Sequence, residues 1–270
     1  MRLIFIRHGD PDYTIDNLTE KGKREVKLLT DRVCKWENIT AFYTSPLGRA
    51  KATGVPSLEK LGRKATECPW LQEFYYPITV PKDYPDKSIV GTKRIAWDLL
   101  PDYYLTHKEL LDNKKWLKSK LFKGSEIKEK YKVVCQGIDQ ILESYGYFRN
   151  EKGFYDVENP TPNHNWAQPI EQYHLKSLKD DYPQERTLVF FCHLGVMFTI
   201  MSHLLGLSPL QLWQGFYVAP TSITILNSEE RLGGQAWFRV ERLGDTNHLT
   251  NGGEPISSSG YFSSVLSENK

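Results

Sequence analysis

Arg7 and His8 stand side by side at the end of a short apolar run, Leu3 to Ile6, and Gly9 follows them. A charged pair closing a segment that reads as a buried strand needs a partner, because charged groups near a core are costly unless paired. Arginine is a fork of donors that suits phosphate, and a histidine can act as a nucleophile near neutral pH. The pair therefore points to phosphoryl chemistry. Two other places have a related character. Ser45 to Arg49 follows a second β-rich run, and His193 ends a continuous apolar β run, Thr187 to Cys192.

The elements that must position these residues can be read from periodicity. Leu3–Ile6 predicts strand one. A helix opens at Leu18-Thr19-Glu20-Lys21-Gly22, with Thr19 as its N-cap, and extends to about Trp36 with Val26, Leu29 and Val33 on one face. Thr40–Thr44 predicts a second strand. Ser45 is expected to cap a helix starting near Pro46, which Gly54 and Pro56 should bend or weaken. From Phe74 to about Phe122 the pattern is irregular and aromatic, with short helices expected between Leu99 and Leu121.

An amphipathic helix is expected from Gly124-Ser125-Glu126 to about Tyr145, then a hairpin over Tyr147–Val157 and a loop over Glu158–Gln172. Thr187–Cys192 predicts a parallel strand buried on both faces, followed by an apolar helix to Leu207. Ser222–Leu226 and Ala236–Glu241 predict a last strand pair, and the Ser- and Gly-rich tail from Gly252 reads as partly disordered. This order implies an α/β fold with a mainly parallel sheet. Ligands of such sheets sit at the carboxyl ends of the strands, where all three chemical groups would meet.

Composition narrows the class. The 270 residues suit one large domain or a domain with an insertion, and 40% hydrophobic with 25% charged residues is ordinary for a globular protein. A net charge of +2 makes no case for nucleic acid but allows a pocket for a small anion. Cys34, Cys68, Cys135 and Cys192 are far apart with no C-x-x-C, so neither a zinc site nor a redox pair is indicated. They read as buried free thiols of a reducing compartment. The first apolar segment is too short for a signal peptide, and no run of about 18 apolar residues occurs. A cytoplasmic protein without membrane contact is expected.

Taken in order, these stretches resemble the histidine phosphatase superfamily, also called phosphoglycerate mutase-like. Arg7-His8-Gly9 is similar to its signature, Leu18–Gly22 to its first-helix motif, and Ser45-Pro46-Leu47-Gly48-Arg49-Ala50-Lys51-Ala52-Thr53 to its second phosphate-arginine motif. Leu71-Gln72-Glu73 resembles the segment bearing the acid, and Gly124-Ser125-Glu126 the start of the helix before the last core strand. Cys192-His193-Leu194-Gly195-Val196 resembles the second-histidine motif, and Gly244-Asp245-Thr246 with His248-Leu249 the closing segment.

The resemblance implies a three-layer α/β/α domain with an inserted cap. Its core would be 1–73, 123–146 and 186–250, its cap insertions 74–122 and 147–185, and its tail 252–270. It implies His8 as the nucleophile, Arg7, Arg49 and His193 as phosphate ligands, and Glu73 as the acid, with Glu67 as a competing candidate. Asn17 and Leu194 would contact substrate. No metal or cofactor is implied, since arginines and histidines neutralise the phosphate. The expected partner is a small phosphorylated substrate or inorganic phosphate, and a homodimer is admitted.

The expected activity is a phosphatase acting on a small phosphomonoester through a phosphohistidine. The alternatives are a mutase that returns the phosphoryl group and a non-catalytic phospho-ligand module. Asp10-Pro11-Asp12-Tyr13 and Phe74-Tyr75-Tyr76 depart from the mutase pattern, which favours hydrolysis. Pro46 replaces a common acidic residue, and Gly54-Val55-Pro56 interrupts a plainer helix. Asp10 reads equally as a turn residue or a pocket wall, and Cys192 as a buried strand thiol. The aromatic side chains of the insertions, among them Phe74, Tyr84, Trp97, Tyr103, Trp116, Trp166 and Tyr173, are expected mostly to fill a second core.

Overall fold

In the computed structural model, which describes residues 1–159, 186–231 and 234–266, one eight-stranded sheet carries the site. In chain order the N-terminal elements are β1 (Arg2–Arg7), β2 (Pro11–Asp12), β3 (Asn17–Leu18), α1 (Glu20–Val33), β4 (Ile39–Thr44), α2 (Gly48–Leu61) and β5 (Ala65–Glu67). The middle holds β6 (Pro77–Thr79), β7 (Lys93–Ile95), α3 (Pro101–Thr106), α4 (Ile127–Glu143), β8 (Tyr147–Arg149) and β9 (Tyr155–Val157). The chain continues through β10 (Thr187–Cys192), α5 (Leu194–Leu205), α6 (Pro209–Gly215), β11 (Ile223–Arg231), β12 (Gln235–Asp245) and α7 (Asn247–Gly252). The strand order is β5-β4-β10-β1-β11-β12-β9-β8. The first four strands are mutually parallel and the rest run antiparallel, so the expected parallel sheet is its core.

Alternation along the central strands makes the layers. Leu3 and Phe5 of β1 and Leu188 and Phe190 of β10 join Val134 and Ile138 of α4 and Val196 and Ile200 of α5 in one cluster. Ile4 and Ile6, with Val189 and Phe191, pack on the opposite face against Leu29 and Val33 of α1 and Leu58 and Leu61 of α2. β10 is buried along its whole length because helices cover both of its faces.

Thr19 caps α1 as expected, its hydroxyl oxygen accepting from the Gly22 amide at 3.0 Å. Gly22 is required for a further reason. A Cβ there would lie 2.3 Å from the carbonyl oxygen of Asp10, so α1 rests directly on the loop that follows His8.

The second helix departs from expectation at both ends. It starts at Gly48 with Leu47 at the N-cap, not at Pro46, because the Ser45 hydroxyl is engaged elsewhere, with His193 and the Leu47 amide. It also continues through Pro56 to Leu61, where Gly62 closes it in the left-handed conformation. Gly54 lets α2 lie on β10, since a Cβ there would meet the Phe191 ring at 2.8 Å.

The insertion over 74–122 forms the β6–β7 ribbon, α3 and several 3-10 turns. Phe74, Tyr84, Tyr103 and Trp116 are buried, and they join the same cluster as Phe190 and Phe198. The insertion therefore shares the core. Trp97 is half-buried, while Tyr75 is exposed. The expected hairpin forms as β8–β9 and pairs with β12, extending the far edge of the main sheet instead of covering its carboxyl edge. Trp166, Tyr173 and the loop expected from Glu158 onward lie, from residue 160 to 185, outside the described residues.

The last strand pair is longer than predicted, and α6 is additional. The tail from Gly252, expected to be partly disordered, packs as far as Tyr261 through ion pairs, serine hydrogen bonds and an aromatic stack. Residues 267–270 of that tail lie outside the described residues. All four cysteines are free, three buried and Cys34 half-buried. No helix among the described residues is long and apolar enough to cross a membrane.

Candidate active site

Parallel register brings the chemistry to one edge. Arg7 of β1 lies opposite Cys192 of β10, and Phe191 opposite Thr44 of β4. The next residue of each strand, His8, His193 and Ser45, therefore leaves the sheet at the same level. The His8 amide still bonds the Cys192 carbonyl at 2.9 Å, and the Ser45 amide bonds that of Phe191 at 2.9 Å. The His8 and His193 rings are 5.1 Å apart between centroids, and both side chains are almost wholly buried.

His8 Nδ1 lies 2.8 Å from the carbonyl oxygen of Gly9. A carbonyl only accepts, so Nδ1 carries the hydrogen and Nε2 keeps its lone pair. His193 is arranged the other way. Its Nε2 lies 2.7 Å from the Ser45 hydroxyl, whose oxygen already accepts from the Leu47 amide at 3.2 Å. Among the described residues that hydroxyl has no other acceptor for its own hydrogen, so Ser45 donates to Nε2, and Nδ1 of His193 is left as a buried donor without a partner.

Two guanidinium groups flank the histidines. Arg7 donates from Nη1 to the Val218 carbonyl at 2.7 Å and from Nη2 to that of Ser259 at 2.9 Å. Arg49, on the first turn of α2, donates from Nη1 to Asp16 at 2.5 Å. Nε of each arginine is buried and unpartnered. Buried donors without partners are rare, and a cluster of them marks where an acceptor binds.

Glu73 follows the 3-10 turn Pro69–Leu71 and is half-buried. Its Oε1 accepts from the amides of Phe74 at 2.8 Å and Val196 at 3.1 Å. Gly195 makes room for it. A Cβ there would lie 2.6 Å from Oε1 and 2.7 Å from the Trp97 ring. Glu67, the competing acid, ends β5 half-exposed in an ion pair with Lys51. Leu194 is the half-buried first residue of α5, next to His193. Asn17 is exposed on β3, its side-chain oxygen accepting from the Leu18 amide.

Residues 3–80 match the family model described as histidine phosphatase superfamily, branch 1. The match spans less than a third of the chain and makes its N-terminal part similar to that superfamily. The chain's fold is shared with solved structures of low sequence identity. A mycobacterial glucosyl-3-phosphoglycerate phosphatase is 15% identical with a TM-score of 0.53, over 90% of this chain and 98% of its own. A phosphoserine phosphatase from Entamoeba histolytica, solved with 3-phosphoglyceric acid, is 16% identical with a TM-score of 0.51, over 92% and 98%. Bacillus stearothermophilus YhfR is 17% identical with a TM-score of 0.51, also over 92% and 98%. No curated protein sequence matches the chain.

Burial and neighbouring charge set the protonation states in the site. Burial, then the Arg7 charge, holds His8 well below the ordinary imidazole value, with Arg49 adding to the effect and the Gly9 bond opposing it. His193 is lowered by burial, then by His8, Arg49 and Arg7. Both rings are neutral near pH 7. Glu73 is shifted upward by burial, against its two amide bonds and the two arginines. With Oε1 occupied as an acceptor, its proton would reside on Oε2. Burial also raises the Cys192 thiol, which keeps it protonated and unreactive.

Several supporting residues were not legible in the sequence. Asp16, at φ 48°, accepts from the Gly48 amide at 2.6 Å as well as from Arg49, and Tyr13 lies 5.4 Å from Arg49 as a cation–π partner. Thr53 bonds the Gly9 amide at 2.9 Å. Thr221 adopts φ 57°, a strained value for a β-branched residue, and its amide reaches the carbonyls of Arg7 and His8. Asp10 braces the loop, bonding Thr19, Ser257 and, through its amide, the buried Glu25. Aspartates and threonines in turns are too common for any of these roles to show in one sequence.

Proposed function

We propose that this chain is a metal-independent phosphatase that hydrolyses a small-molecule phosphomonoester through a phosphohistidine on His8. The supporting observation is the set of buried, unpartnered donors, Arg7 Nε, Arg49 Nε and His193 Nδ1, beside a histidine whose Nε2 is free. Nε2 attacks phosphorus, and the bond from phosphorus to the ester oxygen breaks. Glu73 gives its proton to the departing oxygen. Water then attacks the phosphohistidine, its proton goes to the Glu73 carboxylate, and the phosphorus–Nε2 bond breaks. The products are an alcohol and inorganic phosphate. The arginines and His193 neutralise the charge on the phosphoryl oxygens, which makes a metal unnecessary. Asn17 and Leu194 are proposed as substrate contacts, and the free thiols suit a reducing compartment.

Two of the neighbours are a glucosyl-3-phosphoglycerate phosphatase and a phosphoserine phosphatase, so a panel of such esters, with para-nitrophenyl phosphate, is the direct test. Phosphate release unchanged by chelator is expected. No turnover on any ester, or turnover abolished by chelator, would sink the proposal. Isomer interconversion faster than phosphate release would make the chain a mutase.

Glu73→Gln keeps the size and the amide bonds but has no proton to give. It should slow the first step, read as single-turnover release of the alcohol, by about 10²–10⁴-fold for alkyl phosphates and far less for para-nitrophenyl phosphate, because nitrophenolate leaves unaided. Hydrolysis of the phosphohistidine should slow equally for both. The wild-type rate should fall as pH rises through the raised Glu73 value and also in acid, where His8 becomes protonated below its lowered value. Glu73→Gln should erase the alkaline limb only. A parallel loss on both esters in that first step would remove Glu73 from the role of acid.

A further inference from the structure

Segment 254–261 reaches from α7 across the loop that carries His8, and it is fastened at each step. Glu254 accepts from Arg24 at 2.9 and 3.0 Å and from Lys21 at 3.1 Å, and Lys21 also bonds the Pro255 carbonyl. Ser257 is buried, with its hydroxyl on Asp10. Its carbonyl accepts from the Tyr217 hydroxyl at 2.9 Å, which also reaches the Ser259 carbonyl at 3.3 Å. Tyr261 stacks on Tyr217 with ring centroids 4.4 Å apart, and the Tyr217 ring lies 5.7 Å from the Arg7 guanidinium.

The segment ends on Arg7 itself. The Ser259 carbonyl accepts from Nη2 at 2.9 Å, opposite the Val218 carbonyl on Nη1. Gly260 sits at φ 76°, and a Cβ there would lie 3.1 Å from Nη2. A guanidinium has five N–H groups in one plane. Fixing one on each terminal nitrogen to a rigid carbonyl sets that plane and leaves the buried, unpartnered Nε–H for a ligand.

We propose that segment 254–261 is a strap that orients Arg7, so that the phosphate site is complete only when the strap is seated. The strap residues are positioning residues, and the proposal rests on the reading of Arg7 as a phosphate ligand. Tyr217→Phe removes the hydroxyl that holds the Ser257 and Ser259 carbonyls while keeping the stacked ring. Gly260→Ala places a methyl group against Nη2 at a backbone angle that favours glycine. Binding of inorganic phosphate by calorimetry, which needs no turnover, is the primary readout, with a melting curve for each variant.

Each variant should weaken phosphate about 10-fold, the scale of one hydrogen bond to a charged group, with little change in melting. In an Arg7→Ala background the same changes should have no further effect on phosphate affinity, because the strap acts through Arg7. Additive losses in that background would overturn the strap, as would unchanged affinity. Tighter phosphate binding would make the segment an obstacle instead of a support, which also overturns it. Intact phosphate binding without turnover on any ester would leave the strap standing while the proposed hydrolysis falls. A wild-type chain that does not bind phosphate overturns both.

Discussion

His8→Ala is expected to lower phosphate release by at least about 10⁴-fold while the protein still folds and binds phosphate. In the proposed mechanism the His8 imidazole forms the covalent intermediate. Its Nδ1 is committed to the Gly9 carbonyl, and its Nε2 faces a site bounded by Arg7, Arg49 and His193. Alanine leaves those three donors in place, so the anion site should persist. Two measurements separate the roles. Incubation with labelled substrate and a rapid quench should trap phosphate on wild-type protein in a form stable to base and labile to acid, and on the variant not at all. Calorimetry with inorganic phosphate should show affinity within a few-fold of wild type. Full activity in His8→Ala would end the phosphohistidine mechanism.

Arg7→Ala carries the second large effect, although Arg7 forms no covalent bond. A single preorganised donor to developing charge is worth about 10²–10³-fold in kcat. Arg7 should exceed that, because it supplies several N–H groups and a full charge from a buried position. The same charge also helps keep His8 neutral, so its removal lets the His8 value rise. The acid limb of the rate profile should therefore move to higher pH, which a purely structural role would not produce. Arg7→Lys should recover little, since one ammonium cannot reach the Val218 and Ser259 carbonyls and a phosphoryl oxygen together. Recovery to near wild-type rates by lysine would mean that Arg7 acts only as a point charge.

The strands that deliver the chemistry could be recognised because each obeys a local rule. β1 and β10 are uninterrupted apolar runs, each ending at a histidine or at an arginine next to one, and such a run describes a strand buried on both faces. Thr19 announces α1 as an N-cap, and the face of α4 repeats at helical spacing. Misreadings occurred where a residue answers to something distant. Ser45 has the composition of a helix cap, yet its hydroxyl serves His193, 148 positions away. The serines and glycines after Gly252 resemble a loose tail, yet Ser259 meets Arg7 across 252 positions.

Short-range pattern was thus sufficient for the α/β class and the parallel strands, and for bringing forward His8, Arg7 and Arg49 as the candidates on which the proposed mechanism rests. Each of those features is written in neighbouring residues: apolar runs, a capping threonine, an arginine beside a histidine. Tertiary structure alone decided how those groups are tuned. Burial and mutual charge keep both histidines neutral and raise Glu73. The Ser45 hydroxyl selects the His193 tautomer, Asp16 holds Arg49, and the strap holds Arg7. These effects depend on distances between residues far apart in the chain, and a linear pattern does not encode distance. The tripeptide Arg7-His8-Gly9 therefore points to the proposed chemistry, and the folded chain sets the orientation and protonation of its groups.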